Sequence, residues 1–247
     1  RHDGTPFVTH AINTAIIVIQ EVGLGRNSTV STLLHDVVRL GLMDAEQIGD
    51  RFGKQCVGIL QGLCNISEVD PKVATDQADN FRELIVSYST DPRVILIKLA
   101  DRLEVMRKLD IFPQEKRIKK SWESLNLYAQ IAHKLGLYNI KSELEDIALK
   151  YLEPKDYEYI SRRLTETAAE REEFIRAFVK PIEEKMQHFG IKYHLKSRTK
   201  SIYSIWRKMQ QKNASFEQLS DIMAFRIIVD DVATCYQALG IVHSKYH

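Results

Sequence analysis

The stretch 31–40, STLLHDVVRL, sets two metal-type ligands side by side, His35 and Asp36, in an otherwise apolar helical run. Leu33, Leu34, Val37 and Val38 flank them and are expected to pin the helix in a core. A buried imidazole beside a buried carboxylate is costly to leave unpaired and simple to ligate. Two further stretches supply partners. His10 heads the apolar helix THAINTAIIVI, and Asp101 closes the apolar run in VILIKLADRL. Two imidazoles and two carboxylates from three helices suit Mn, Fe, Zn or Ni better than Ca or Cu(I). An HD dipeptide also occurs by chance, and a core histidine is often simply hydrogen-bonded. The reading therefore rests on all four residues together.

A second constellation lies near the other end. Arg198, Lys200, Ser204 and Lys208 follow one another at steps of two, four and four. From Lys200 onward they share one helical face, with Arg198 at its entrance. Asp221 follows at the head of a run of β-branched residues. Clustered cations beside one carboxylate suit a polyphosphate and its Mg²⁺, the cations on phosphate oxygens and the aspartate on the metal. A solvated basic helix face explains the same cations without a ligand. No glycine-rich phosphate cradle is present to decide between them.

The elements that must position these residues follow from periodicity. Apolar residues recur at helical spacing over 10–22, 29–38, 44–63, 76–90, 91–108, 115–136 and 138–152, with breakers between. Asp44 with Gln47 three residues on has the form of a capping box. Phe81, Leu84 and Ile85 mark the inward face of 76–90. Residues 153–190 mix both charges and read as a helical connector with a solvated face. Beyond Gly190, IKYHL reads as a strand, SRTKSIYSIWRKMQQK as a basic amphipathic helix with Ile202, Ile205, Trp206 and Met209 inward, DIMAFRIIVDD as a buried strand, and CYQALGIVHSKY as the start of another helix. The fold class is thus a mostly α domain over 1–152, a connector over 153–190, and an α+β unit over 191–247 that reads as incomplete.

Composition limits the function classes. Of 247 residues, 44% are hydrophobic and 28% charged, which fits a globular chain rather than a disordered one. No run approaches the ~18 apolar residues of a membrane span. The opening RHDGTPF lacks signal-peptide form. Cys56, Cys64 and Cys235 have no CxxC spacing, which favours a reducing compartment over a disulfide frame or cysteine zinc site. A net charge of +2 does not by itself point to nucleic acid. Both ends read as cut, Arg1 standing just before the first helix and His247 in mid-course.

Both constellations, in this order, resemble the RelA/SpoT family of long alarmone enzymes. DGTPFVTHAI, LLHDVV, FGKQCVGILQGL, DQADNFREL, DPRVILIKLADRLEVMR, YAQIAHKLGLYNIKSELEDIALKYL, KSIYSIWRKM and FEQLSDIMAFRIIV carry the resemblance across essentially the whole chain. It implies an HD-type (p)ppGpp pyrophosphohydrolase followed by a (p)ppGpp synthetase that moves pyrophosphate from ATP to the 3′-hydroxyl of GTP or GDP. It implies His10, His35, Asp36 and Asp101 as Mn²⁺ ligands and Arg1 as a guanine contact. It also implies Arg198, Lys200 and Lys208 on nucleotide phosphates, Ser204 lining that site, and Asp221 as the catalytic Mg²⁺ carboxylate. The family works in the bacterial cytoplasm, away from the membrane, and reaches the ribosome through C-terminal regions absent from these 247 residues. Its second synthetase carboxylate and its guanine-stacking aromatic would lie beyond His247, so this stretch alone is expected not to make (p)ppGpp.

The departures from the family pattern are specific. After HDVV the hydrolase-competent pattern continues Glu-Asp, whereas this chain has Arg39-Leu40. The family's ADRLHNMRT reads ADRLEVMRK here, so Glu104, Val105 and Lys108 replace His, Asn and Thr. The expectation is an alarmone synthetase whose HD domain keeps its metal ligands and hydrolyses poorly. Three alternatives stay open: a bifunctional enzyme with a working Mn²⁺ hydrolase, an HD domain serving as non-catalytic nucleotide sensor or scaffold, and an HD phosphohydrolase for another nucleotide.

Overall fold

The computed structural model describes residue 6, residues 8–67 and residues 91–246. Arg1 and the expected helix over 76–90, with its DQADNFREL motif, lie outside the described residues. The chain forms two compact units, Arg1–Leu152 and Glu153–His247.

The described part of the first unit is helical. Helices α1 (Val8–Gln20), α2 (Arg26–Arg39), α3 (Ala45–Phe52) and α4 (Gln55–Ser67) are followed by α5 (Pro92–Arg107), α6 (Gln114–Glu123), α7 (Ala129–Lys134) and α8 (Tyr138–Leu152). The Asp44–Gln47 capping box is present and starts α3. The single helix expected over 44–63 is two. Gly53 adopts φ +110° between them, a conformation that side-chain-bearing residues rarely adopt, and this ends α3. Between α6 and α7 the chain stays helical but widens into one π turn, Ser124–Tyr128.

α5 is the central helix of this unit. Asp91 caps it by accepting from the Arg93 backbone N–H at 3.0 Å, with Pro92 at the first helical position. It buries Val94, Ile95, Ile97, Leu99, Leu103 and Met106 against α1, α4 and α8. At Gly62 on α4 a Cβ would come within 2.7 Å of Val94, so the absence of a side chain permits the α4–α5 approach. Arg107 closes the far end of α5 with ion pairs to Glu21 (2.7 Å) and Glu143 (2.6 Å).

The second unit joins α9 (Pro154–Glu166) and α10 (Ala168–His188) to a small α+β assembly. Strands β1 (His194–Thr199) and β2 (Met223–Ile228) pair antiparallel, with Thr199 opposite Met223 and His194 opposite Ile228. Helix α11 (Ile202–Lys212) packs on α9 and α12 (Val232–His243) on α10. The segment read as a connector therefore supplies packing surface. The Trp206 indole N–H donates to Asp156 at 2.7 Å, and Arg163 pairs with Glu217 at 2.9 Å. Ile205 is buried, and Ile202, Trp206 and Met209 face the same apolar cluster, the face expected from the sequence.

Two strand expectations are corrected. Ser197, Arg198 and Thr199 belong to β1, because their backbone pairs with Met223–Phe225, so α11 starts only at Ile202. β2 is half-buried to exposed along its length rather than buried, although its sequence is nearly all apolar. Phe225 stacks on Phe178 of α10, with ring centroids 4.7 Å apart.

Candidate functional site

Helix α2 meets the expectation for its apolar flanks in part, since Leu34 and Val38 pack against the core cluster of Ala45, Ile48, Cys56 and Leu60. Leu33 is exposed, and Leu34, Val37 and Val38 are only partly buried. The buried residues are Ser28, Ser31, Thr32, His35 and Asp36. They recur at the i, i+3, i+4, i+7, i+8 spacing of one helical stripe, so α2 buries a polar stripe beside the apolar one of Val30, Leu34 and Val38. Burial of polar groups is tolerated when they are hydrogen-bonded. The Thr32 hydroxyl donates to the Ser28 carbonyl at 2.7 Å, and His35 Nδ1 donates to the Thr32 carbonyl at 2.7 Å. The second bond fixes the imidazole tautomer and leaves the Nε2 lone pair as the one that could take a ligand, 3.5 Å from Asp36 Oδ1.

His10 lies on α1 and Asp101 on α5, and packing of those helices brings them together. His10 Nε2 is 2.7 Å from Asp101 Oδ1, and Nδ1 is 2.6 Å from Glu104 Oε2. Burial by itself pulls the His10 pKa down, but the bonds to Asp101 and Glu104 outweigh it and raise the pKa to about 9. Burial pushes Asp101 the other way. The hydrogen bond from His10, then the charges of Lys98, His10 and His35, hold it well below the usual carboxylate range.

The departures from the family pattern occupy definite places in this geometry. Arg39 Nε and Nη2 both reach Asp36 Oδ1, at 2.9 and 2.5 Å. Asp36 Oδ2 is buried and has no hydrogen-bond partner among the described residues. Glu104 and Lys108 form an ion pair at 2.9 Å, with Glu104 buried beneath His10. Among the described residues, no group of three or more His, Cys, Asp or Glu side chains is drawn together as a metal-ligand set. The donors nevertheless suit a divalent cation. Asp36 Oδ2 is a buried acceptor without a donor among the described residues, and the His35 tautomer presents Nε2. His10 Nε2 and Asp101 Oδ1 stand near the ~3 Å that separates adjacent ligands around a metal with ~2.1 Å bonds.

In the second unit, Lys200 and Lys208 both reach Asp221 Oδ2, Lys200 at 2.8 Å. The approach of Lys200 is the main reason the Lys208 pKa falls to about 8. Ser201 caps α11 by accepting from the Ser204 backbone N–H at 3.2 Å, and its hydroxyl donates to the Ser204 hydroxyl at 2.9 Å. Arg198 is exposed on β1, opposite Ala224, rather than on the helix. Asp221 lies two residues before β2 and is partly exposed.

Sequence reasoning missed two orienting groups, the Thr32 carbonyl and Glu104. Both had a local signal. Thr32 lies three residues before His35, and Glu104 lies three residues after Asp101, so each shares a helix face with its site residue.

Comparison with known proteins gives the class first. A family described as "HD domain" matches residues 1–138, more than half of the chain. A second, described as "Region found in RelA / SpoT proteins", matches residues 197–247. The chain belongs to the RelA/SpoT family. One relative, a guanosine-3′,5′-bis(diphosphate) 3′-pyrophosphohydrolase of Aquifex aeolicus, is 38% identical over 247 residues, covering 100% of this chain and 35% of the relative. A GTP pyrophosphokinase of Myxococcus xanthus is 35% identical over 250 residues, covering 100% and 33%. The bifunctional (p)ppGpp synthase/hydrolase SpoT of Escherichia coli is 37% identical over 249 residues, covering 100% and 35%. The chain therefore spans about a third of the length of these relatives.

Proposed function

We propose that the chain is part of an enzyme of (p)ppGpp metabolism, a GTP pyrophosphokinase whose HD domain holds a divalent cation but hydrolyses (p)ppGpp poorly. In this reading residues 1–152 are the hydrolase-type domain, 153–190 the helical link, and 191–247 the start of the synthetase domain. The observation that carries it is the Arg39 guanidinium on Asp36. A cation stands on a ligand carboxylate where the family pattern carries an acid, and Val105 offers no hydrogen bond where the pattern has Asn. His10, His35, Asp36 and Asp101 would hold the cation, Mn²⁺ on the family precedent. When bound, it would stabilise negative charge developing on the phosphate oxygens. Loss of an acidic group that moves a proton costs ~10²–10⁴ in rate.

In the synthetase half, Lys200 and Lys208 would release Asp221 to hold ATP phosphates while Asp221 binds Mg²⁺, with Arg198 and Ser204 beside them. Substrates would be ATP and GTP or GDP, and the setting the bacterial cytoplasm. No helix among the described residues is long and apolar enough to cross a membrane. Ribosome association would belong to regions outside these residues. The bifunctional reading draws on the relative named as both synthase and hydrolase. A (p)ppGpp hydrolysis assay with Mn²⁺, run beside metal analysis of the same preparation and His35→Ala as control, separates the two. Bound metal without turnover supports the proposal. Turnover that His35→Ala abolishes supports the bifunctional alternative.

A further inference from the structure

Glu104 departs from the family pattern, and it is 2% exposed. A buried carboxylate is costly unless it is paired and hydrogen-bonded. Each of its oxygens is engaged. Oε2 accepts from His10 Nδ1 at 2.6 Å, and Oε1 takes the Lys108 ammonium at 2.9 Å and the Asn13 amide at 3.3 Å. Lys108, which also departs from the pattern, keeps its side chain one-third exposed and so brings a solvated charge to a buried acid. The result is a chain from Lys108 through Glu104 and His10 to Asp101. Metal-ligating histidines commonly donate their second ring N–H to a carboxylate, which fixes the ring and strengthens the ligating nitrogen.

We infer that Glu104 is the positioning residue of the HD site, holding His10 through Nδ1 so that Nε2 faces Asp101 and a shared divalent cation. The inference rests on the reading of His10 and Asp101 as metal ligands. On it, the Glu104 and Lys108 departures are a paired gain, an orienting acid with its own counter-charge. Such a pair supports cation binding independently of hydrolysis, which fits a domain that keeps its metal while losing turnover.

The test is a Mn²⁺ titration of the 247-residue chain, following the free-ion electron paramagnetic resonance signal. Glu104→Met removes the acceptor and is expected to weaken Mn²⁺ affinity about 10–100-fold. Glu104→Gln keeps an amide oxygen that can accept from Nδ1, so a smaller loss is expected. Glu145 supplies a matched control. It is equally buried at 2% and paired with Lys141 at 2.8 Å, four residues away, but bonds no histidine among the described residues. Glu145→Met should leave affinity unchanged. Unchanged affinity in Glu104→Met, or a loss no larger than in Glu145→Met, overturns the inference. If Glu104→Met does not fold, Glu104→Leu decides by the same comparison with Glu145→Leu. Should His10→Ala itself leave Mn²⁺ binding intact, the ligand assignment fails rather than the role of Glu104.

Discussion

Removing the Arg39 guanidinium should tighten binding of a divalent cation at the HD site. Arg39 lies 2.5–2.9 Å from Asp36 Oδ1, leaving Oδ2 as the open oxygen. A dication on Oδ2 would stand roughly 5 Å from the guanidinium. There +2 against +1 repels by about 7 kcal/mol at an effective dielectric near 20, and by under about 2 kcal/mol in water. The Arg39 side chain is 47% exposed, so the watery limit is the better guide. About 1–2 kcal/mol corresponds to roughly a tenfold change in affinity. Arg39→Ala should therefore tighten Mn²⁺ about tenfold, and Arg39→Glu more, with the gain shrinking as salt rises. Calorimetric titration at two ionic strengths reads this directly. Equal or weaker affinity in Arg39→Ala would mean that Arg39 and the cation do not compete for Asp36, and the electrostatic reasoning would be wrong.

Other outcomes follow from particular contacts. Leu103→Ala, fully buried on α5, should cost about 2–5 kcal/mol in denaturant unfolding of the first unit. Asp156→Ala removes the acceptor of the Trp206 indole and should destabilise the second unit by about 1 kcal/mol, read from Trp206 fluorescence in a Trp122→Phe background. The Asp91 carboxyl is held below its usual range, chiefly by hydrogen bonds from the Arg93 side chain. Its contribution is present above the unfolded carboxyl pKa near 4 and is lost as pH falls through the lower folded value. Asp91→Asn should therefore flatten the acid limb of the stability curve, measured by thermal melts between about pH 2 and 5. The 247-residue chain should transfer no pyrophosphate from ATP to GTP, and Lys208→Met should weaken binding of a non-hydrolysable ATP analogue. Turnover by the chain would show that its synthetase site is complete without further residues.

Helix periodicity was enough to find α1, α2, α5 and α8, because their apolar stripes are regular and their ends carry caps and breakers. The α3–α4 split was hidden because apolar spacing continues past Gly53 and only its backbone angle ends the helix. The polar face of α2 was misread for a related reason. Leu34 and Val38 do pack on a core cluster, but hydropathy does not record that the Thr32 hydroxyl bonds the Ser28 carbonyl and His35 the Thr32 carbonyl, so that these polar side chains are buried as well. β1 was misplaced because Ser197 and Arg198 carry little strand propensity and are extended by pairing with β2. Of the candidate ligands, the His10–Asp101 contact depends on packing between α1 and α5, 91 positions apart, so spacing alone could only suggest it. Glu104 stood out in the sequence only as a departure from the family's His, and its bond to His10 depends on the packing of α1 against α5.

The most direct test of the central claim compares (p)ppGpp hydrolysis in Mn²⁺ by the natural chain and by the Arg39→Glu, Leu40→Asp double variant, with metal content measured on both. The account predicts metal in both proteins, near-background turnover in the natural chain, and a rise of about 10²–10⁴ when the acidic pair is restored. Rapid hydrolysis by the natural chain, unimproved in the double variant, would contradict it and show that the acidic pair is dispensable in this HD domain.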